Sequence, residues 1–357
     1  MNSRERLLAA FYLEEPDMVP VSTYMSPYWL NWVDVQMYWS IAKKSEAIFR
    51  TGIKKGGVFL SKANLRVMEK SWKEGERIVR LTRIEAPKGT LQSISHSERG
   101  ISWVKEPFVK TEEDIETWLS ISYKPIDPDP SEYFIWDEKL GEHGFSILSL
   151  GDPISGVHGL FSQRGFVLNW MKNRKLMQNL LDIMAERVMD CLTALLEKGV
   201  RRFWSSGPEH IVPPFFNPRL FDVAVAPYHR EMAKLIHSYG GIMYMHCHGS
   251  IRRVLSKFKE TGIDALDTID PPPQGDCELW EAKKVLGDKI CLLGNVDSVR
   301  VMARGTPEII EEAVKKCIKD GAPGSGYVLQ PTSGTIVDTP IENILAFIKA
   351  GRKHGKY

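Results

Sequence analysis

No apolar run in the 357 residues approaches the ~20 needed to cross a bilayer, and the charged start Met1-Asn2-Ser3-Arg4-Glu5-Arg6 carries no signal-type apolar segment. Cysteine is scarce and odd in number. Cys191, Cys247, Cys277, Cys291 and Cys317 are scattered with no C-x-x-C, which excludes a disulfide framework and points to thiols in a reducing compartment. Neither sign of charge is in excess: 47 Lys+Arg stand against 45 Asp+Glu, a formal +2, with no long run of either. That excludes a nucleic-acid stripe and a polybasic membrane patch. Low-complexity tracts, repeats of solenoid period and domain linkers are also missing; Ile126-Asp127-Pro128-Asp129-Pro130 is too short to be one. The expectation is a soluble cytoplasmic protein of one domain, 1–357, with no nucleic-acid or membrane partner. The oligomeric state stays open, a homodimer being allowed.

Hydrophobic residues make up 43% of the chain, enough for a large core. Leu7, Leu8 and Phe11 at helical spacing, behind Ser3 as a cap, predict a helix over 3–12, and residues 19–24 read as a first strand. An aromatic segment follows, with Tyr24, Tyr28, Trp29, Trp32, Tyr38 and Trp39; most of these rings suit packing, and a few suit the wall of a pocket for a flat ligand. Residues 52–110 alternate apolar and polar positions between turns, predicting a second strand near 55–60 and inserted antiparallel hairpins. Thr111 starts a helix with acidic residues at its positive end. From about 145, strand candidates at 145–150, 201–205, 242–246, 265–269, 290–293 and 327–330 alternate with helices at 174–198, 217–239, 251–261, 279–286 and 307–319. Such alternation means a parallel sheet, and eight strands favour an α/β (β/α)8 TIM barrel with hairpins inserted in its N-terminal third. An open doubly wound sheet is the alternative.

Polar groups recur after six successive strands: Gly151-Asp152-Pro153, Ser206-Gly207-Pro208-Glu209-His210, His246-Cys247-His248-Gly249, Asp270-Pro271, Gly294-Asn295-Val296-Asp297 and Pro331-Thr332-Ser333-Gly334. In a (β/α) barrel that end carries catalysis. Alternation along 242–248 puts Ile242, Tyr244, His246 and His248 on one face and Cys247 on the other. Two imidazoles at one strand end can present two nitrogen ligands to a metal ion, or form a hydrogen-bonded pair in a crowded core.

At Arg4-Glu5-Arg6-Leu7-Leu8-Ala9-Ala10, Glu15-Pro16-Asp17-Met18-Val19-Pro20-Val21, the region 207–221, His246-Cys247-His248-Gly249, Gly294-Asn295 and Thr339-Pro340-Ile341-Glu342-Asn343-Ile344, the chain resembles the uroporphyrinogen decarboxylase superfamily. That superfamily includes cobalamin-dependent methyltransferases, and the resemblance implies a (β/α)8 barrel with its site at the strands' C-terminal ends. Uroporphyrinogen decarboxylases hold their polycarboxylate substrate with an arginine-rich motif after the first strand. Here Ser22-Thr23-Tyr24-Met25-Ser26-Pro27-Tyr28-Trp29 stands there with no arginine, which argues against haem biosynthesis. The zinc methyltransferases carry His-x-Cys-Gly and a later Cys in a Pro-Gly-Cys-Gly-like turn; here His248 and Ser333 occupy the two cysteine positions.

The resemblance therefore implies a corrinoid-dependent methyltransferase with a harder metal site, suited to polarising an oxygen rather than a thiol. The candidate ligands for a divalent metal, zinc by donor type, are His246, His248 and Glu209, with His210 as a substitute for the last. Asp152 and Asp297 are candidate general acids or bases, or partners orienting imidazole. Tyr24, Tyr28, Trp29 and Asn295 are candidate substrate contacts. The sequence holds no Asp-x-His-x-x-Gly, so cobalamin would arrive on a separate corrinoid protein. The substrate would be a small methyl donor or acceptor, with an oxygen-linked methyl favoured. The alternatives are a decarboxylase of a small acid and a barrel reduced to a binding role.

Overall fold

The structure, a computed structural model, describes residues 1–25, 33–54, 60–61, 65–98, 101–334 and 339–357. Contacts divide the chain into two compact units: Met1–Lys54, Asp129–Leu150 and Leu195–Tyr357 form one, Lys55–Pro128 and Gly151–Ala194 the other. The strands in chain order are β1 (Ala47–Thr51), β2 (Arg66–Glu74), β3 (Arg77–Ala86), β4 (Gly89–Glu98), β5 (Ile101–Glu106), β6 (Gly144–Ser149), β7 (Arg202–Ser206), β8 (Ile242–Cys247), β9 (Ala265–Thr268), β10 (Cys291–Val296) and β11 (Tyr327–Pro331).

The first unit is built on a seven-stranded sheet of order β1-β6-β7-β8-β9-β10-β11, every pair parallel. Four of its strands, β8, β9, β10 and β11, are buried along their whole length, as expected where both faces are covered. Alternate residues of the sheet's strands, among them Ile48, Phe145, Trp204, Tyr244, Leu293 and Val328, form one apolar cluster with Leu7, Ala10 and Phe11 of a short first helix, α1 (Ser3–Phe11). Phe11 meets Phe145 and Tyr244 edge to face, at 5.6 and 5.9 Å between ring centroids. Burying a side chain of that size contributes roughly 1.5–3 kcal/mol. Asn2, not the expected Ser3, caps α1, through a capping box in which Asn2 accepts from the Glu5 amide and Glu5 from the Asn2 amide.

The strand expected at 19–24 reduces to one parallel bridge, Val21 to Leu329. Val21 O also accepts from the Glu46 amide, so this segment bonds to β11 on one side and to the residue before β1 on the other. The strand expected near 55–60 falls largely outside the described residues; the strand that pairs with β6 is Ala47–Thr51. The helix expected over 217–239 is three pieces, Pro218–Leu220, Phe221–Ala224 and Ala226–Ser238. Pro218 and Pro227 each open one, since proline is tolerated only in a helix's first turn. Arg252–Glu260 winds as a 3-10 helix instead of the expected α-helix.

In the second unit β2, β3, β4 and β5 make an antiparallel meander, the hairpins expected from the alternation over 60–110. β2 is exposed throughout, while Val79, Ile84 and Leu91 are buried. Thr111 caps the helix Glu112–Leu119 with three acidic residues in its first turn. No helix among the described residues is long and apolar enough to cross a membrane. The five cysteines are buried and none is in a disulfide.

Candidate active site at the ends of the parallel strands

The side chains that follow the apolar cluster on the same strand faces are polar. Ile48 is followed two residues on by Arg50, Tyr244 by His246, Ala265 by Asp267 and Val328 by Gln330. Parallel register sets His246 beside Asp267 and Cys247 beside Thr268. His246 Nδ1 lies 2.9 Å from Asp267 Oδ1. His248, just past the strand, places Nδ1 2.8 Å from Asp270 Oδ2, which also accepts from the Gly249 amide at 2.9 Å. The two imidazole rings stand 4.5 Å apart at 89°. A carboxylate offers only acceptors, so each Nδ1 carries the proton of its pair and each Nε2 is left as the outward nitrogen. Among the described residues neither Nε2 has a hydrogen-bond partner.

The two pairs differ in setting. Asp267 is fully buried, and its other oxygen is 3.4 Å from Gln330 Nε2, which also donates to the Tyr244 hydroxyl at 3.2 Å. Tyr24 brings its hydroxyl to 3.1 Å from His246 Nδ1, from a backbone at φ 57°, a left-handed conformation that costs a bulky residue energy and is held here by its surroundings. Burial, and then the Asp267 charge, push the Tyr24 phenol well above its usual range, so it acts as a neutral hydrogen-bonding group. His248 is more open, with its side chain 42% exposed. Burial lowers its pKa, but the Asp270 hydrogen bond and the charges of Asp270, Asp267 and Glu209 outweigh that and the net shift is upward. Burial likewise raises Asp270, and its bonds from His248, Gly249 and Thr268 bring it below the usual carboxylate range.

Of the expected ligands, then, His246 and His248 come together. Glu209, in the turn Pro208–His210, folds its carboxylate back onto the Gly207 amide at 2.8 Å, and its charge reaches His248. The donor chemistry suits a metal as far as two imidazole nitrogens, each oriented by a carboxylate. Among the described residues no group of three His, Cys, Asp or Glu side chains is placed to hold one. Cys247 is buried, its thiol directed to the His248 carbonyl at 3.8 Å. Ser333 has its backbone pinned on Ser298, and the next residue, Gly334, lies against the Tyr24 ring.

The candidate acid–base residues Asp152 and Asp297 both cap the start of a helical turn. Asp152, in the second unit, caps Pro153–His158 by accepting from the Ile154 and Ser155 amides. Asp297 caps the turn Ser298–Ala303 through the Val299 and Arg300 amides at 2.8 and 2.7 Å. Asn295 spans the end of β9 and the helix Pro307–Gly321: its amide donates to Ile269 O at 2.8 Å and accepts from the Cys317 thiol at 3.4 Å. Tyr28 and Trp29 lie outside the described residues. The sequence reading missed Arg50, Trp204, Asp267 and Gln330. These four, with Tyr24 and Tyr244, surround a cavity or its polar floor; the cavity itself, lined also by Ile48 and Ile147, holds about 10 Å³. For Arg50, Asp267 and Gln330 part of the signal lies in the strand spacing, while their convergence depends on how the strands pair. A polar residue two positions beyond the last inward apolar one lies on the same face, at the strand's exit.

Comparison with known proteins fits this geometry. Residues 163–354, more than half of the chain, match the family profile described as Uroporphyrinogen decarboxylase (URO-D). A methylcobamide:CoM methyltransferase MtaA of Methanosarcina barkeri is 26% identical over 213 residues, 60% of this chain and 59% of that protein. A methylated-thiol–coenzyme M methyltransferase of Methanosarcina mazei is 29% identical over 126 residues, 35% of this chain and 31% of that one. A uroporphyrinogen decarboxylase of Parasynechococcus marenigrum is 25% identical over 248 residues, 64% of this chain and 66% of that protein. The matches thus span less than two thirds of these relatives. A solved methyltransferase from Methanosarcina mazei superposes with a TM-score of 0.66 at 17% identity over 99% of both chains, which shows the shared fold.

Proposed function

The chain belongs to the uroporphyrinogen decarboxylase family, and we propose that within it this protein is a methyltransferase removing an oxygen-linked methyl group, with a corrinoid carried by a separate protein as acceptor. The names of its relatives support methyl transfer and a cobamide. One observation carries the choice of oxygen: His248 is half-open, paired with Asp270 and shifted toward its protonated form, at a position where the family resemblance implies a cysteine in the thiol-directed enzymes, as it does for Ser333.

The corrinoid supplies the nucleophile that accepts the methyl. The chain's own task is the leaving oxygen. As the C–O bond breaks and its electron pair stays on oxygen, His248 Nε2 gives its proton there, and the product departs as a neutral alcohol or phenol. Asp270 keeps that imidazolium charged and aimed. His246, fixed by Asp267 and Tyr24, presents a second nitrogen beside it for orienting the substrate. Positioned proton transfer of this kind contributes typically about 10²–10⁴-fold. Asp152 and Asp297 hold helix starts in this reading, and Asn295 holds strand to helix. The seven-stranded sheet plus the Val21 segment is read as a (β/α)8 barrel, with 1–357 as one domain; the bonds of Pro20 and Ser22 with Leu329 of β11, and of Val21 with Glu46 just before β1, support this. Cysteines outside any disulfide support a cytoplasmic setting.

A second reading has the same nitrogens hold a metal. The Nδ1–carboxylate pairs favour it, since metal-bound histidines are oriented in this way. His246 and His248 with Glu209 would hold a divalent ion, zinc by donor type, and it would polarise the same oxygen. Zinc titration of chelated protein separates the two: stoichiometric uptake lost in both His246→Ala and His248→Ala selects the metal, and equal uptake in all three selects the proton. The reaction itself is tested by mixing the protein with cob(I)alamin and a panel of methyl aryl ethers. Appearance of the methylcobalamin spectrum is the expected result. No spectral change, with carbon dioxide released from a small acid instead, replaces it with a decarboxylase.

A further inference from the structure

Among the described residues Arg50 is a charged group with no hydrogen-bond or ion-pair partner. It stands on β1 opposite Ile147, two residues after inward-facing Ile48, so its side chain enters the site from the same face as that core residue. Its guanidinium lies over the Trp204 ring, 4.2 Å from the centroid, and the same indole is 5.1 Å from the His246 ring. Among the described residues it makes no hydrogen bond and no ion pair, although it is partly buried. A guanidinium is always charged and carries five N–H donors in a planar fork. Stacking on an indole fixes its plane but uses none of those donors. The cavity that it lines with Tyr24, Trp204 and Gln330 holds about 10 Å³, close to the space of one water molecule. That is the size of one oxyanion oxygen and much less than an aromatic ring.

We propose that Arg50 is the anion anchor of this site and takes the carboxylate of the substrate, so that the methyl ether acted on is an aromatic acid. Both oxygens face the guanidinium fork, one of them seated in the cavity, and the ring stays outside the cavity on the Trp204 side. A single arginine matches a single carboxylate, in contrast to a substrate with many. The inference rests on the methyl-ether reading for the word ether only; anion binding stands apart from it.

The test uses the whole chain without any corrinoid and follows binding by calorimetry of 4-methoxybenzoate, benzoate, methoxybenzene and ethanesulfonate. The native protein is expected to bind both benzoates. Arg50→Gln should weaken both by roughly 10- to 100-fold, as loss of a charge-assisted bidentate contact does, and leave methoxybenzene unchanged. Arg50→Lys should fall between, because an ammonium keeps the charge and loses the fork. Circular dichroism confirms that each variant is folded. Benzoate binding that is absent in the native protein or equal in Arg50→Gln overturns the proposal. Tighter binding of ethanesulfonate than of benzoate overturns the carboxylate assignment. Arg50-dependent binding of 4-methoxybenzoate with no methyl transfer to cob(I)alamin supports the anchor and overturns the reaction reading instead, so the two fail separately.

Discussion

Glu46 and Arg50 stand four residues apart at the two ends of β1, and they are treated in opposite ways. At the entry end every charge is answered. Glu46 is fully buried; one oxygen takes Arg6 at 2.6 Å and Arg352 at 2.8 Å, and the other takes the Val21 amide at 2.6 Å. Arg6 in turn holds Asp17 at 2.7 and 2.9 Å, and that hydrogen bonding keeps the Asp17 carboxyl well below its usual range. At the exit end, among the described residues, Arg50 stacks on an indole face with no hydrogen bond or ion pair, and the Nε2 atoms of two imidazoles have no hydrogen-bond partner. Saturated charge ties α1, the Val21 segment and the C-terminal helix Ile341–His354 to the sheet. Unsaturated charge is left where a ligand can complete it. Charged residues stand at both ends; what separates structure from site is whether the hydrogen-bond valences are filled.

The strongest way to break this contrast is to open the saturated end. Glu46→Gln leaves the buried Arg6 and the half-buried Arg352 short of a counter-charge, and removing one partner of a buried pair costs roughly 3–5 kcal/mol. Urea unfolding should show that loss, while Arg50→Gln should move stability by less than ~1 kcal/mol, since no partner is stranded. Comparable losses from the two would erase the distinction. At the exit end the loss should be in rate. His248→Gln should lower methyl transfer by about 10²–10⁴-fold with the unfolding midpoint little changed.

The pH dependence sharpens the same point. The His248 pKa is raised in the folded protein, so its imidazolium is present below the ordinary value of about 6.5 and persists above it. Activity that needs this proton should be full on the acid side and fall as pH rises through the raised pKa. The pair's contribution to stability follows the same sign, fully present below the unfolded value and lost as pH rises through the folded one. Asp270→Asn removes the hydrogen-bonded carboxylate that lifts the pKa, so the descending limb of the rate profile should move to lower pH. A profile that stays in place would detach His248 from the proton.

Much of the first unit was legible because period and punctuation are local. The strands from β6 onward, the hairpins and the pair His246–His248 all come from alternation, glycine turns and helix starts. What was not legible depends on pairing. Ala47–Thr51 is a strand because β6 accepts it in register, and Val19–Thr23 makes only one bridge although its residues suit a strand equally well. Asp267 hid inside the strand Ala-Leu-Asp-Thr, where a buried carboxylate makes sense only once His246 is known to lie beside it. Arg50 hid for the same reason. The acids that stood out, Asp152 and Asp297, did so because they follow strands directly, and that is also where a helix needs its cap.

Asp297 is the closest test of that last ambiguity and carries the smallest expected effect. Its carboxylate accepts from two amides at the start of Ser298–Ala303, and Ser298 then pins the Ser333 turn, which leads to Gly334 under the Tyr24 ring. Replacing an N-cap acid by alanine costs about 0.5–2 kcal/mol, and Asp297→Asn, which keeps an accepting oxygen, should cost a few tenths of that range or less. A capping role predicts that the two variants rank by stability, alanine below asparagine below native, with kcat within about twofold throughout, because the turn still forms in all three. A proton-transfer role predicts the reverse pattern: asparagine would be as damaging as alanine, since both lack an ionisable group, and the loss would appear in kcat at about 10²-fold or more. Measuring unfolding and turnover on the same three proteins places Asp297 with the filled valences of the scaffold or with the open ones of the site.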